Sequence, residues 1–509
     1  MARFSNTPAK ARPALLASTT NRVQTFEGGL GFENTAQTEL FLTAVSGLLK
    51  DQFYESGADQ LDRLATLVSR CDPSWIAPFV KWLRNEANIR SASLVIAAEY
   101  ARMKGPNARS VVNSVLQRAD EPGEMLGYWF SQYGRQMPMA LKRGIGDAVK
   151  RLYTENALLR YDGSNKGWRF GDVIEIVHPI PSTEKQSALF KFALDRRRNA
   201  VSTPEELGRI SQVLNLQSIP AAERRARLDE AVSAGFSWER LGSWLPGGLD
   251  ASAWSALVPE LGYMALLRNL RNLEDAHVPV KELAKAAARI ANAEEVAKSK
   301  QLPYRFLSAY MNTKSDRFKQ PLNDALEESV KNLPLINKNV LIMVDCSGSM
   351  GTRVGNDSRG TSPTRSQVAG LFAVTLARRA KSADIVSYDT RLLREQKNAH
   401  LDTQSVLGVV NSGWFRPNGG TDTWHCTSEA FRRGRYDLVI ILTDEQTSVR
   451  DTSIVNVPVV TWNVAGYAVA HAQHGSHNRF VVGGFSDQIL DLIPSVVGLA
   501  SSGRWPWER

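Results

Sequence analysis

The chain has 509 residues, of which 43% are apolar and 22% charged, so it is long enough for two or three domains and has the composition of an ordinary globular protein. Its net charge of +10 is a mild surplus that suits phosphate-bearing partners without requiring them, because many enzymes are equally basic. The longest apolar stretches, such as 457–470, are too short and interrupted to span a bilayer, and three scattered cysteines, Cys71, Cys346 and Cys426, argue against a disulfide framework and for a reducing, cytoplasmic compartment.

At the amino terminus, residues 4–22 alternate polar and small side chains around Arg12 and Pro13, which is not the order of a secretory signal. From about Thr38 to Leu333, apolar residues recur every three or four positions between Gly, Pro and Asp-Pro breaks. The spacing predicts helices over 58–70, 73–87, 92–103, 108–119, 140–152, 185–196, 223–234 and 280–297. Many helices joined by short connections predict an α-solenoid, with pairs burying their faces against neighbours in degenerate repeats. This part, residues 1–335, carries +7 of the net charge, and residues 336–509 carry +3.

Near Ile336 the pattern changes. Strands are predicted at 340–344, 384–388, 438–442, 457–464 and 480–482, with helices over 366–381, 423–433 and about 487–500. Such alternation predicts an α/β domain, a parallel sheet covered on both faces. The first strand runs into Asp345-Cys-Ser-Gly-Ser-Met350, a loop with one carboxylate and two hydroxyls. Gly419-Gly420-Thr421-Asp422 opens a later helix, and the strand at 438–442 runs into Thr443-Asp444. All three segments lie at the edge where open α/β sheets bind ligands, and hard divalent cations are held by oxygen.

Asp345, Ser347, Ser349, Thr421 and Asp444 together resemble the metal-ion-dependent adhesion site of a von Willebrand factor A domain. The resemblance implies Mg²⁺ or another divalent cation, touched by the serines and the threonine and reached by the aspartates through water. Read alone, the first segment is also a turn whose serines cap the next helix. Residues 351–364, rich in Gly, Ser, Thr, Arg and Asn, read as a loop beside this site, either a binding lip or a surface insertion.

Several helical segments resemble the TROVE domain of the Ro autoantigen family. They are Phe26-Glu-Gly-Gly-Leu-Gly-Phe32, Leu40 to Tyr54, Cys71-Asp-Pro-Ser-Trp-Ile-Ala77 through Arg84-Asn-Glu-Ala87 and Arg90, Arg160-Tyr-Asp162 through Gly167-Trp168, Asp172 and His178-Pro179, and Met264-Ala-Leu-Leu-Arg-Asn-Leu270. The resemblance, of the bacterial type, implies HEAT-like repeats closed into a toroid over residues 1–335, followed by a doubly wound A domain over 336–509. It further implies a noncatalytic, monomeric RNA-binding scaffold. Structured Y-type noncoding RNAs would bind outside and single-stranded 3′ ends of misfolded RNAs inside, beside an exoribonuclease.

By residue chemistry, Arg160, Lys166 and Arg169 offer cations to phosphates, Trp168 a stacking face, and His178 a donor to phosphate or ribose. The competing reading makes Trp168 core and His178 a helix-end residue before Pro179. The loop at 162–166 is about one residue longer than the family form, leaving Ser164, Asn165 and Lys166 as alternatives for one basic contact. The clusters Arg196-Arg-Arg198 and Arg224-Arg225 with Arg227 read as solvated helix faces.

Phosphate loops, paired Cys-x-x-Cys and zinc-protease motifs are absent from the sequence. His471, His474 and His477 do not have zinc-ligand spacing, and Cys346 has no neighbouring base. Two carboxylates with three hydroxyls suit one cation with an open position better than two-metal nuclease chemistry. The rival reading from another class is a protein-binding adaptor that uses the cation site and has no RNA role.

Overall fold

The computed structural model describes residues 22–24, 30–32, 36–45, 57–163, 167–200, 205–354, 362–402, 404–444, 455–464 and 479–483, with isolated positions beyond. Lys166 with Ser164 and Asn165, the three histidines of 471–477, and nearly all of the helix expected at 487–500 lie outside them, as do residues 26–29, Phe53 and Tyr54. The described chain falls into two compact units, one comprising Leu61–Glu260 and the other Leu261–Arg509 with the described part of Ala17–Gln60.

The first unit is helical, as the periodicity predicts. Helices Pro73–Asn85, Ser91–Arg102, Ala108–Val115, Glu121–Tyr133, Met139–Leu152, Phe170–Val177 and Glu184–Arg197 bury their apolar faces on one another. Two glycines set how closely they pack. A Cβ on Gly144 would stand 2.7 Å from the Val112 Cβ, and one on Gly171 would stand 2.4 Å from the Ala193 carbonyl oxygen.

Some predicted boundaries shift for local reasons. The helix expected over 108–119 ends at Val115, because the amides of Gln117 and Arg118 donate to Glu121 Oε2 at 2.6 and 3.0 Å instead of continuing the spiral. The stretch 223–234 divides into a tight 3₁₀ segment Ala221–Arg227 and a short helix Leu228–Ser233. The stretch 280–297 is two helices, Val280–Ile290 and Ala293–Ser299, because the Asn292 side chain accepts from the Glu295 amide and starts a new one.

Glu121 is fully buried and is the polar centre of this unit. Its Oε1 accepts from Arg84 Nη2 at 2.9 Å and Arg90 Nε at 3.0 Å, while Arg84 Nε donates to the Val115 carbonyl at 3.0 Å. One carboxylate thus joins four segments. A second buried carboxylate, Glu99, accepts from the hydroxyls of Tyr128 and Tyr133 and from Arg102 Nε at 2.7 Å.

The second unit begins with a small antiparallel pair, β1 (Arg22–Gln24) and β2 (Leu30–Phe32), and the helix Ala36–Val45. Helices from Tyr263–Asp275 to Asp316–Val330 precede the sheet. Its strands are β3 (Ile336–Asp345), β4 (Ala380–Tyr388), β5 (Leu392–Gln396), β6 (Leu438–Thr443), β7 (Val459–Asn463) and β8 (Arg479–Gly483), in spatial order β5-β4-β3-β6-β7-β8. All pairings are parallel except β4 with β5. The polar antiparallel edge strand β5 was not expected.

From β3 the chain crosses to β4 on one side and later returns to β6 on the other. The order therefore reverses between β3 and β6, the place where open α/β sheets form a crevice. β3 and β6 are buried throughout their paired length, Val340–Val344 and Leu438–Leu442, which fits central strands covered on both faces.

Removing one partner of the Glu121 network leaves buried charge unpaired. Glu121→Ala is expected to lower the unfolding free energy by about 3–5 kcal/mol, read by chemical denaturation. A loss below about 1 kcal/mol would show that the network is not a keystone.

Candidate functional site

The register explains how the candidate cation loop is built. Val344 pairs with Leu442 and Asp345 with Tyr388, so Asp345 emerges level with Thr443 on the neighbouring strand. Thr443 Oγ1 donates to Asp345 Oδ2 at 2.6 Å, and the Ser347 amide donates to Asp345 Oδ1 at 2.8 Å. The Ser347 and Ser349 hydroxyls lie 3.3 Å apart. Asp345 and Asp444 are fully buried, Ser347 is buried, and Ser349 and Thr421 are half-buried.

Backbone bonds seat the second segment on the first. The Gly348 amide donates to the Gly419 carbonyl at 3.0 Å, and the Asn418 amide donates to the Cys346 carbonyl at 2.7 Å. Gly419 has φ +71, and a Cβ there would stand 3.0 Å from Asp389 Oδ2, so the turn requires glycine. Thr421 follows two residues later, and the Asp422 side chain caps the helix Thr423–Phe431 through the His425 amide at 3.2 Å.

Burial first, and the neighbouring Asp444 second, push the Asp345 carboxyl up to about 7, against the lowering effect of the bonds from Thr443 and Ser347. Two buried carboxylates share a crevice with hydroxyls beside them. Hard cations seek that donor chemistry, and the residues present fit one such ion with hydroxyl ligands. Among the described residues, no group of three or more His, Cys, Asp or Glu offers an alternative metal cluster. The Cys346 and Cys426 thiols are raised by burial, Cys426 to about 12, so neither is an activated nucleophile.

Three nearby residues escaped the sequence reading. Asp389, buried just after β4, accepts from the Arg391 amide at 3.0 Å, and the Asp422 amide donates to its carbonyl at 3.0 Å. Thr443 orients Asp345. Arg365, the first residue of the helix Arg365–Arg379, is buried with Nη1 3.6 Å from Asp444 Oδ2. For Asp389 the signal was present, because a carboxylate directly after a strand is what singled out Asp345 and Asp444.

The candidate RNA contacts divide. Arg160 and His178 are exposed, Arg160 with its guanidinium carbon 5.4 Å from the Tyr161 ring centre, and His178 at φ +48 ending the helix Phe170–Val177. Trp168 is half-buried with its ring 5.3 Å from that of Phe130, and Arg169 Nη2 lies 3.5 Å from Asp162 Oδ2. Asp162, itself buried, also accepts from the Phe170 amide at 2.7 Å and Arg196 Nη1 at 3.2 Å.

The other basic clusters are engaged in ion pairs and carbonyl contacts rather than simply solvated. Arg197 and Arg198 pair with Asp172 and Glu175 at 2.7 and 3.3 Å. Arg224 donates to the Ile219 and Trp244 carbonyls at 2.9 and 2.8 Å, and Arg225 pairs with Asp250 at 2.7 Å. These arginines hold the helical unit together.

Residues 224–340 match the TROVE domain family model. Among solved structures it is similar to the crystal structure of the Deinococcus radiodurans Ro (RSR) protein, at 17% identity and a TM-score of 0.66, covering 92% of this chain and 99% of that one. At that identity the likeness concerns the fold alone, a helical part followed by an α/β sheet domain. Both findings agree with the resemblance to the Ro family that the sequence carries. No curated protein matches the chain. No helix among the described residues is long and apolar enough to cross a membrane.

The raised Asp345 carboxyl has a pH signature. The folded state keeps the proton longer than the unfolded chain, so stability is full below the ordinary carboxylate range and is lost as pH rises towards about 7. Without divalent cations, Asp345→Asn is expected to be more stable than wild type at pH 8 by about 2–4 kcal/mol, with the gap closing by pH 4. Urea titrations in chelator at both pH values measure it, and a pH-independent gap would contradict the assignment.

Proposed function

We propose that the protein is a noncatalytic, cytoplasmic RNA-binding scaffold of the Ro type, acting as a monomer in RNA quality control or processing. The observation that carries this reading is the TROVE match over 224–340 within a chain whose fold follows a Ro protein over 92% of its length. In this reading residues 1–335 form a closed helical ring that takes small structured Y-like RNA and single-stranded 3′ ends, and residues 336–509 form the A domain. A partner exoribonuclease belongs to the same proposal.

Exposed Arg160 supplies a cation to phosphate, and exposed His178 a donor, with Lys166 as a further cation of the same segment. Trp168 and Arg169 support these contacts from their inward positions against Phe130 and Asp162. At the sheet edge, Asp345, Ser347, Ser349, Thr421 and Asp444 would hold Mg²⁺, which supplies an open coordination position for an acidic side chain of a protein partner. The adaptor reading shares the cation site and differs only in lacking RNA affinity.

Filter binding with a structured RNA across a salt series separates the two. Affinity is expected to fall steeply with salt, and Arg160→Ala and His178→Ala each to weaken binding several-fold, with Arg160→Ala lowering the salt slope by about one. Failure to bind at low salt would leave the adaptor. For the cation, Asp345→Ala and Ser349→Ala are expected to abolish calorimetric Mg²⁺ binding while leaving RNA affinity almost unchanged. Wild-type Mg²⁺ binding in both variants would count against these ligands.

A further inference from the structure

We propose that Arg365 is a built-in rival of the divalent cation, an internal counter-charge that occupies the electrostatic place of the metal beside Asp444 and sets the site's affinity low. The inference rests on the cation-site reading above and concerns its regulation.

The geometry is specific. The guanidinium Nη1 lies 3.6 Å from Asp444 Oδ2, with side-chain exposures of 8% for Arg365 and 1% for Asp444. Water therefore screens this pair little, and a buried charge that loses its partner is costly. The backbone fixes the arginine in position. Its amide donates to the Thr352 carbonyl at 2.9 Å, and the preceding Thr364 caps the helix by accepting from the Gln367 amide at 3.2 Å. Its stem can bend, but its root cannot move away from the site.

Charge arithmetic gives the consequence. With both carboxyls ionised, as cation binding requires, Asp345 and Asp444 bring two negative charges and Arg365 one positive, so the crevice is partly neutralised before any ion arrives. Asp389 adds a third buried carboxylate, already accepting from the Arg391 amide and the Thr390 hydroxyl. A divalent ion entering must displace the guanidinium from Asp444 or bind beside a like charge, and both weaken binding. Neutralising residue 365 removes the competitor.

Calorimetric titration of the full chain with MgCl₂ tests this, using wild type, Arg365→Gln, Arg365→Met, Arg365→Lys and Ser349→Ala. The two neutral variants are expected to bind Mg²⁺ at least about tenfold tighter, because a single charge opposite a divalent ion a few ångströms away exceeds a tenfold effect even at an effective dielectric constant of about 20. Arg365→Lys is expected to stay within about threefold of wild type. Neutral variants that bind no tighter than wild type overturn the proposal. Binding in Ser349→Ala equal to wild type places the cation elsewhere, and the cation-site reading then falls together with the proposal. If the neutral variants fold only when Mg²⁺ is added, as read by circular dichroism, the ion is replacing the guanidinium and the proposal stands. If they remain unfolded with Mg²⁺, it fails.

Discussion

Two carboxylates buried side by side at the end of a parallel sheet are the constraint around which the α/β unit is arranged. Asp345 ends β3 and Asp444 directly follows β6, the strands between which chain order reverses, and both are fully buried. Such a pair tends to hold a proton, take a cation, or recruit a basic side chain. The surroundings serve all three. Asp345 retains a proton to unusually high pH, hydroxyls of Ser347 and Ser349 stand beside it, and the Arg365 guanidinium faces Asp444. The glycine turn at 419 and its bonds to the first loop fix the distance between segments.

The helical unit uses the same device for a different purpose. Glu121, Glu99 and Asp162 are buried acceptors that gather arginines, tyrosine hydroxyls and backbone amides from several helices. Part of the unit's positive charge is consumed internally, since Arg84, Arg90, Arg169 and Arg196 all point at these carboxylates. Net charge is therefore a poor guide to where a polyanion would bind. Arg160 and His178 are among the unit's exposed basic residues and lie at the margin of this network.

Periodicity made most of the architecture legible. The helices at 73–85, 91–102 and 139–152, and the strands ending in Asp345 and Thr443, lie within a few residues of expectation, because their apolar patterns and Asp-Pro or Pro starts are strong local signals. Side-chain accounting across distance was not legible. The helix ending at Val115 stops because Glu121 takes the next amides, and β5 escaped because a polar edge strand has little apolar alternation. The carboxylates and hydroxyls of the proposed cation loop were visible as a motif. Thr443 and Arg365 needed the register of β3 against β6 and the start of the helix at 365. The Arg84, Asn85, Glu86 and Arg90 motif carries a structural meaning that its sequence alone did not show, because its arginines serve Glu121 from another helix.

The claim on which the functional account depends is that the folded chain holds RNA through a solvent-facing basic surface. Ultraviolet crosslinking in cells, followed by purification and sequencing of the attached RNA with mapping of the crosslinked peptides, tests it most directly. The account predicts small structured RNA joined to peptides that include residues 160–178. Recovery of no RNA above background, or crosslinks confined to the α/β unit, would contradict it.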